Sequence, residues 1–97
     1  TRLAPSPTGA LHLGNLRTFL INWAMARQQG WRILLRVEDL DTPRVKPGVV
    51  ESMLRTLERL GLDWDHGPVI QSHHMEIYRD AMRTLAARGL VYESAHT

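Results

Sequence analysis

Apolar positions along this chain fall into two kinds of run, and the two alternate. Leu16, Phe19, Leu20, Trp23 and Ala26 or Arg27 recur at the spacing of one helix face, which predicts a helix of about 15 residues. Gly30 follows as a left-handed C-cap, with Trp31 beyond it. Arg32-Ile-Leu-Leu-Arg-Val37 is instead an apolar, β-branched run of the kind buried in a parallel sheet. Arg2-Leu-Ala4 is too short to identify itself, but its place ahead of a loop and a helix marks it as the first strand. Strand, helix and strand make a βαβ unit, whose crossover is right-handed.

The second half repeats the helical period twice. Val50, Met53, Leu54, Leu57 and Leu60 form one apolar stripe, with Pro47 suited to the first helical position. Gly61 stops that helix, and Leu57 and Leu62 are spaced for the hydrophobic contact of a Schellman cap. Asp63–Pro68 reads as a loop and Val69-Ile70 as a brief strand. Ser72 is the expected N-cap of a third helix, whose buried face would be Ile77, Tyr78, Ala81, Met82 and Leu85. Gly89 caps it, with Leu85 against Leu90. The result is an α/β chain of one small domain or part of a larger one, without internal repeats.

Composition adds exclusions. With 43% hydrophobic and 23% charged residues the chain is neither disordered nor strongly charged, and its net charge of +2 names no partner. Eleven arginines against the single Lys46 say more, because a guanidinium fork suits phosphates and carboxylates. There is no cysteine, so neither a disulfide framework nor a thiolate metal site exists. Apolar runs such as Phe19-Leu-Ile21, broken by Asn22, are far shorter than the roughly 20 residues of a membrane span, and no signal-peptide pattern appears. A cytoplasmic location with no membrane partner is the expectation.

The chemistry concentrates in the opening, where Pro5 and Pro7 forbid helix or central strand and the backbone must turn. Gly9 and Gly14 let the main chain pass close to a ligand. His12 and Asn15 fall at the start of the first helix, where unpaired N–H groups and the positive dipole end favour an anion. Glu38-Asp-Leu-Asp41 lies at the carboxyl end of the second strand, the edge where open α/β sheets bind ligands. Arg2 and Glu38 would end adjacent strands about 5 Å apart. Asp39 and Asp41 read as turn or cap residues, and Asp63 and Asp65 as structural acids. His66, His73, His74 and His96 lack ligand spacing and read as surface residues, so no metal site is expected. Trp23 lies on the helix stripe and reads as core, while Trp31 and Trp64 are left between packing and base stacking.

Three motifs in order carry a family resemblance. Ala4-Pro-Ser-Pro-Thr-Gly9 with Leu11-His-Leu-Gly-Asn15 resembles the HIGH signature of class I aminoacyl-tRNA synthetases in the form used by the glutamyl branch. Leu35–Arg44 resembles that branch's strand and acidic turn, and Leu60-Gly-Leu-Asp-Trp-Asp65 continues the match. The resemblance implies that residues 1–97 are the first half of a Rossmann-like (HUP) catalytic domain. It implies ATP, with Mg2+, held by Pro5, Ser6, Pro7, Thr8, Gly9, His12, Gly14 and Asn15, with His12 and Asn15 catalytic. L-Glutamate would be held by Arg2, Ala4, Ser6 and Glu38, with Arg2 on a carboxylate and Glu38 on the α-ammonium. Asn15 replaces a histidine of the motif, though its amide can still donate.

Relatives often place a Cys-x-Cys pair near Val91-Tyr92, where this chain has Ser94 and His96, and zinc is therefore not expected from this segment. Leu40 stands where glutamyl-tRNA synthetases usually carry threonine, and Thr42–Gly48 resembles the glutamyl-queuosine tRNA(Asp) type. The implied activity is glutamate activation and transfer to tRNA, to queuosine of tRNA(Asp) ahead of the ordinary tRNA(Glu). A non-catalytic nucleotide-binding fragment and another nucleotidyltransferase sharing the turn are the other readings. Thr1 in place of an initiator methionine and the missing KMSKS-like loop lead to the expectation of a piece of a longer protein. Half a sheet should leave an apolar face uncovered, so the isolated chain is expected to self-associate or to be marginally stable.

Overall fold

In the computed structural model, which describes residues 1–9 and 11–94, three parallel strands form one sheet in the order β1-β2-β3. They are β1 (Arg2–Leu3), β2 (Leu34–Val37) and β3 (His66–Ile70). Helix α1 (Leu13–Gln28) links β1 to β2, and α2 (Val49–Arg59) links β2 to β3. Helix α3 (Met75–Ala87) follows a short 3-10 turn, Gln71–His74. This is the α/β arrangement that the alternating pattern predicted, and it is the Rossmann-like one that the family resemblance implied. No helix among the described residues is long and apolar enough to cross a membrane.

The core lies on one face of the sheet. Leu3, Ile33 and Leu35 pack with Ala26 of α1 and with Leu57 and Leu62 at the end of α2, all essentially without solvent contact. Phe19, Trp23, Leu54 and Trp64 close around them. Removing a leucine side chain from water contributes roughly 1.5–3 kcal/mol, so these few residues carry most of the cohesion. Each helix stops where its glycine allows. Gly30, Gly61 and Gly89 all have positive φ. The amides of Trp31, Leu62 and Leu90 then donate to the carbonyls of Ala26, Leu57 and Leu85, which is the six-to-one bond of the Schellman motif.

The structure departs from the sequence pattern in several places. β3 begins at His66 rather than Val69 and includes Gly67-Pro68. Its pairing shifts between Leu34↔His66 and Arg36↔Val69, so three steps of β3 face two of β2. That bulge accommodates a glycine and a proline that a regular ladder would reject. Pro47 is not helical; it precedes Gly48, whose φ of 76° makes it a left-handed N-cap before Val49. Ser72 does not cap α3, because its amide and hydroxyl both donate to Asp39, at 2.8 and 2.6 Å. Leu20 and Leu60 are exposed, since the helix faces they occupy turn away from the sheet.

The largest departure is α3. Its stripe exists at helical spacing, but α3 buries no residue, and Ile77, Tyr78, Ala81, Met82 and Leu85 all face solvent. Periodicity reports which residues share a face, and no described segment covers this one. Helix α1 is similarly apolar on its outer side, where Leu13, Leu20, Ile21 and Met25 are exposed.

Candidate active site at the carboxyl edge of the sheet

The loop after β1 owes its shape to alternating prolines. Pro5 and Pro7 are buried, while Ser6 and Thr8 between and after them turn outward. The Glu38 amide donates to the Pro5 carbonyl at 2.9 Å, which extends the parallel ladder past β1 and ties the loop to the end of β2. His12, with extended backbone angles, is the N-cap of α1, and its carbonyl accepts from Leu16 N–H at 3.0 Å. Asn15 Oδ1 accepts a long bond from the His12 amide at 3.5 Å. The imidazole lies over Gly14, where a Cβ would stand 3.1 Å from its Cε1 and Nδ1.

These elements enclose a cleft of about 370 Å³ lined by Ala4, Pro5, Ser6, Thr8, Gly9, His12 and Asn15, together with Leu11, Thr18 and Phe19. The first turn of α1 contains no acidic residue, so its free N–H groups and dipole present net positive potential to the cleft. A phosphate fits that chemistry, with hydroxyls, an imidazole and a carboxamide at hand. Pro7 and Gly14 do not line the cleft; the first is interior scaffold and the second makes room for the His12 ring. Thr18, whose hydroxyl donates to the Gly14 carbonyl at 3.1 Å, was not singled out from the sequence. Its position three residues after Asn15 on the same helix face was the available signal.

Arg2 and Glu38 lie outside the cleft lining, and they do not end adjacent strands as expected: Arg2 opens β1 at its amino end, Glu38 follows the last residue of β2, and only the length of the Arg2 side chain brings them near each other. The pairing of β1 with β2 sets Arg2 opposite Leu34, and Arg2 Nη2 is 3.9 Å from Glu38 Oε1. The same oxygen is in direct contact with Arg36 Nη2, an arginine the sequence reading passed over. Its signal was a charge two residues before Glu38, hence on the same strand face, inside an apolar run.

The remaining acids take fixed structural places. Burial pushes the Asp39 carboxyl up, but bonds from the Ser72 hydroxyl and amide outweigh it and hold it below the usual range. Asp41 turns the chain, accepting from the Arg44 amide at 2.9 Å. Asp63 is depressed first by the Trp23 indole, at 2.7 Å, and then by Arg27. Asp65 is depressed by the Ile33 amide, at 2.6 Å, and by Arg27, at 2.8 Å. The Asp65 bond is the largest of those that raise Arg27. Trp64 packs partly on the core and Trp31 stands half exposed, neither near the cleft. His66, His73 and His74 are exposed, and His96 lies outside the described residues. Among the described residues no group of three His, Cys, Asp or Glu side chains is placed to hold a metal ion.

A three-stranded parallel α/β sheet with a cleft between a proline-glycine loop and a helix N-terminus places the chain among Rossmann-like α/β folds. The whole chain, residues 1–97, matches the family described as tRNA synthetases class I (E and Q), catalytic domain, and belongs to it. It is 54% identical to a glutamate--tRNA ligase of a Synechococcus strain, over 94% of this chain and 19% of that protein. It is 48% identical to a glutamyl-Q tRNA(Asp) synthetase of Symbiobacterium thermophilum, over 94% of this chain and 31% of that protein. A solved glutamate tRNA ligase from Elizabethkingia meningosepticum, in complex with its amino acid, superposes with a TM-score of 0.81 at 38% identity, covering 89% of this chain and 19% of that one. The chain thus spans between about a fifth and a third of the length of these relatives.

Proposed function

We propose that the protein carrying this chain activates L-glutamate with ATP and transfers the glutamyl group to tRNA. The observation that carries this reading is the side-by-side arrangement, at one sheet edge, of an anion-suited cleft (Ser6, Thr8, His12, Asn15) and an Arg2/Glu38 pair in a chain of this family. In the first step an oxygen of the glutamate α-carboxylate bonds to the α-phosphorus. The bond from that phosphorus to the bridging oxygen breaks, and pyrophosphate leaves with the electron pair. His12, Asn15 and the first amides of α1 donate to the α-phosphate oxygens as charge builds on them. Magnesium arrives with the triphosphate. Arg2 holds a substrate carboxylate, Glu38 the α-ammonium, and Ala4 and Ser6 flank the amino acid. A tRNA hydroxyl then displaces AMP from the adenylate.

For the acceptor we propose queuosine of tRNA(Asp), on the strength of Leu40 and the Thr42–Gly48 loop. Relatives of both kinds match at similar identity, so the proposal rests on these local residues alone.

The test is exchange of labelled pyrophosphate into ATP on the full gene product, without tRNA. Exchange that depends on glutamate and drops roughly 10²–10³-fold in His12→Ala is the expected result. No exchange with or without tRNA overturns the reading. Glutamylation of queuosine-bearing tRNA(Asp) but not of tRNA(Glu) supports the proposed acceptor, and the reverse overturns it.

A further inference from the structure

Strand β2 carries a charge where an apolar residue would be expected. Leu35 and Val37 are fully buried against the helices, and the residues that alternate with them, Arg36 and Glu38, occupy the other face of the sheet. Arg36 sits in the central strand, opposite Val69 of β3. Its side chain runs toward the carboxyl edge and its Nη2 contacts Glu38 Oε1, the oxygen that also lies 3.9 Å from Arg2 Nη2. One carboxylate therefore faces two guanidinium groups, and they are not equivalent. Arg36 is the more enclosed, with 26% of its side chain exposed, and it makes the direct contact. Arg2 is 52% exposed and only loosely engaged. Arg36 Nε is buried without a hydrogen-bond partner. Such an orphan donor is a cost that a purely packed strand would avoid by carrying an aliphatic residue here.

We infer that Arg36 is a positioning residue for amino-acid recognition. By engaging Glu38 it keeps that carboxylate from closing onto Arg2. Arg2 stays available for a substrate carboxylate, and the second oxygen of Glu38 stays available for an ammonium group. Without Arg36, Glu38 turns to the nearest cation, Arg2, and the two substrate-facing charges neutralise each other. The inference rests on the glutamate-activation reading above.

The test is steady-state pyrophosphate exchange on the full gene product, with KM for glutamate and for ATP measured separately. Arg36→Gln is expected to raise KM for glutamate about tenfold, with KM for ATP and the melting temperature near those of the parent. Arg36→Lys, which keeps a point charge but not the fork, recovers part of the loss. In a Glu38→Gln background, adding Arg36→Gln should change KM for glutamate less than about twofold, because the residue acts through Glu38. An unchanged KM for glutamate in Arg36→Gln, an equal rise in both KM values, or additive effects in the double variant overturn the inference while the activity reading stands. If Arg36→Gln does not fold, Arg36→Lys carries the same comparison. A parent protein without exchange removes the activity reading and this inference together.

Discussion

Replacing Gly14 with alanine should make the protein more stable and less active. The added Cβ stands 3.1 Å from both Cε1 and Nδ1 of His12. Comfortable contact between such atoms begins near 3.5 Å, so the imidazole must retreat by roughly 0.4 Å or more. A misplacement of about 1 Å at a reacting centre can cost ~100-fold, and a shift near half that size is expected to cost about tenfold, or ~1.4 kcal/mol of barrier. The folding effect has the opposite sign. Gly14 is exposed in the first turn of α1 and its φ is not positive, so alanine fits the backbone. Loss of unfolded-state freedom then stabilises by roughly 0.4–1 kcal/mol. Urea unfolding and glutamate-dependent pyrophosphate exchange on the same preparation read both signs. Full exchange at raised stability would show that the ring position is immaterial. Lost exchange with lost stability would show that the site failed by unfolding, and either result refutes the reasoning.

Three further perturbations test other links. Gly67→Ala places a Cβ 2.3 Å from the Leu35 carbonyl at a φ of +101°, and a loss of about 3 kcal/mol or more in urea unfolding is expected; a change under about 1 kcal/mol would contradict the close strand approach. The Asp63 and Asp65 carboxyls are held below the unfolded value of roughly 3.9, so their stabilisation is complete above that pH and fades as pH falls through the lower folded values. Unfolding midpoints should fall on acidification, and Asp65→Asn should lower stability at pH 7 while flattening the acid decline; an unchanged slope would remove the network from the account. The 97-residue chain alone is expected to self-associate in sedimentation experiments through exposed apolar faces such as that of α3, and Met82→Glu with Leu85→Glu to reduce it; a monodisperse parent monomer would refute this.

How far the sequence could be read depended on how local each cause was. The three helices and their glycine-marked carboxyl ends were legible, because a 3.6-residue period followed by a glycine is a signal contained within about 15 residues, whereas the starts expected at Pro47 and Ser72 were not. The β1–α1–β2 unit and the loop built on Pro5 and Pro7 were legible for the same reason. β3 was half missed, because Gly67-Pro68 reads as a loop until the bulge against β2 is seen. Ser72 was assigned as a cap, but its partner is Asp39, 33 residues away, and nothing near Ser72 announces it. The roles of Arg2 and Glu38 came from family resemblance, and the structure adds their proximity. Arg36 and Thr18 were within reach of strand alternation and helix spacing, had those been applied to polar residues as well as apolar ones.

The three glycine-ended helices have a consequence for how this framework can vary. Gly30 and Gly61 return the chain to β2 and β3 by the same tight reversal, in short segments whose side chains serve the framework rather than the cleft. The opposite edge holds the long connections, residues 4–12 and 38–48, and with them nearly every side chain of the candidate site. Changes of length or sequence in those connections leave the reversals, and with them the strand register, untouched. A loop such as 42–48 could be exchanged between relatives while the sheet stands as it is.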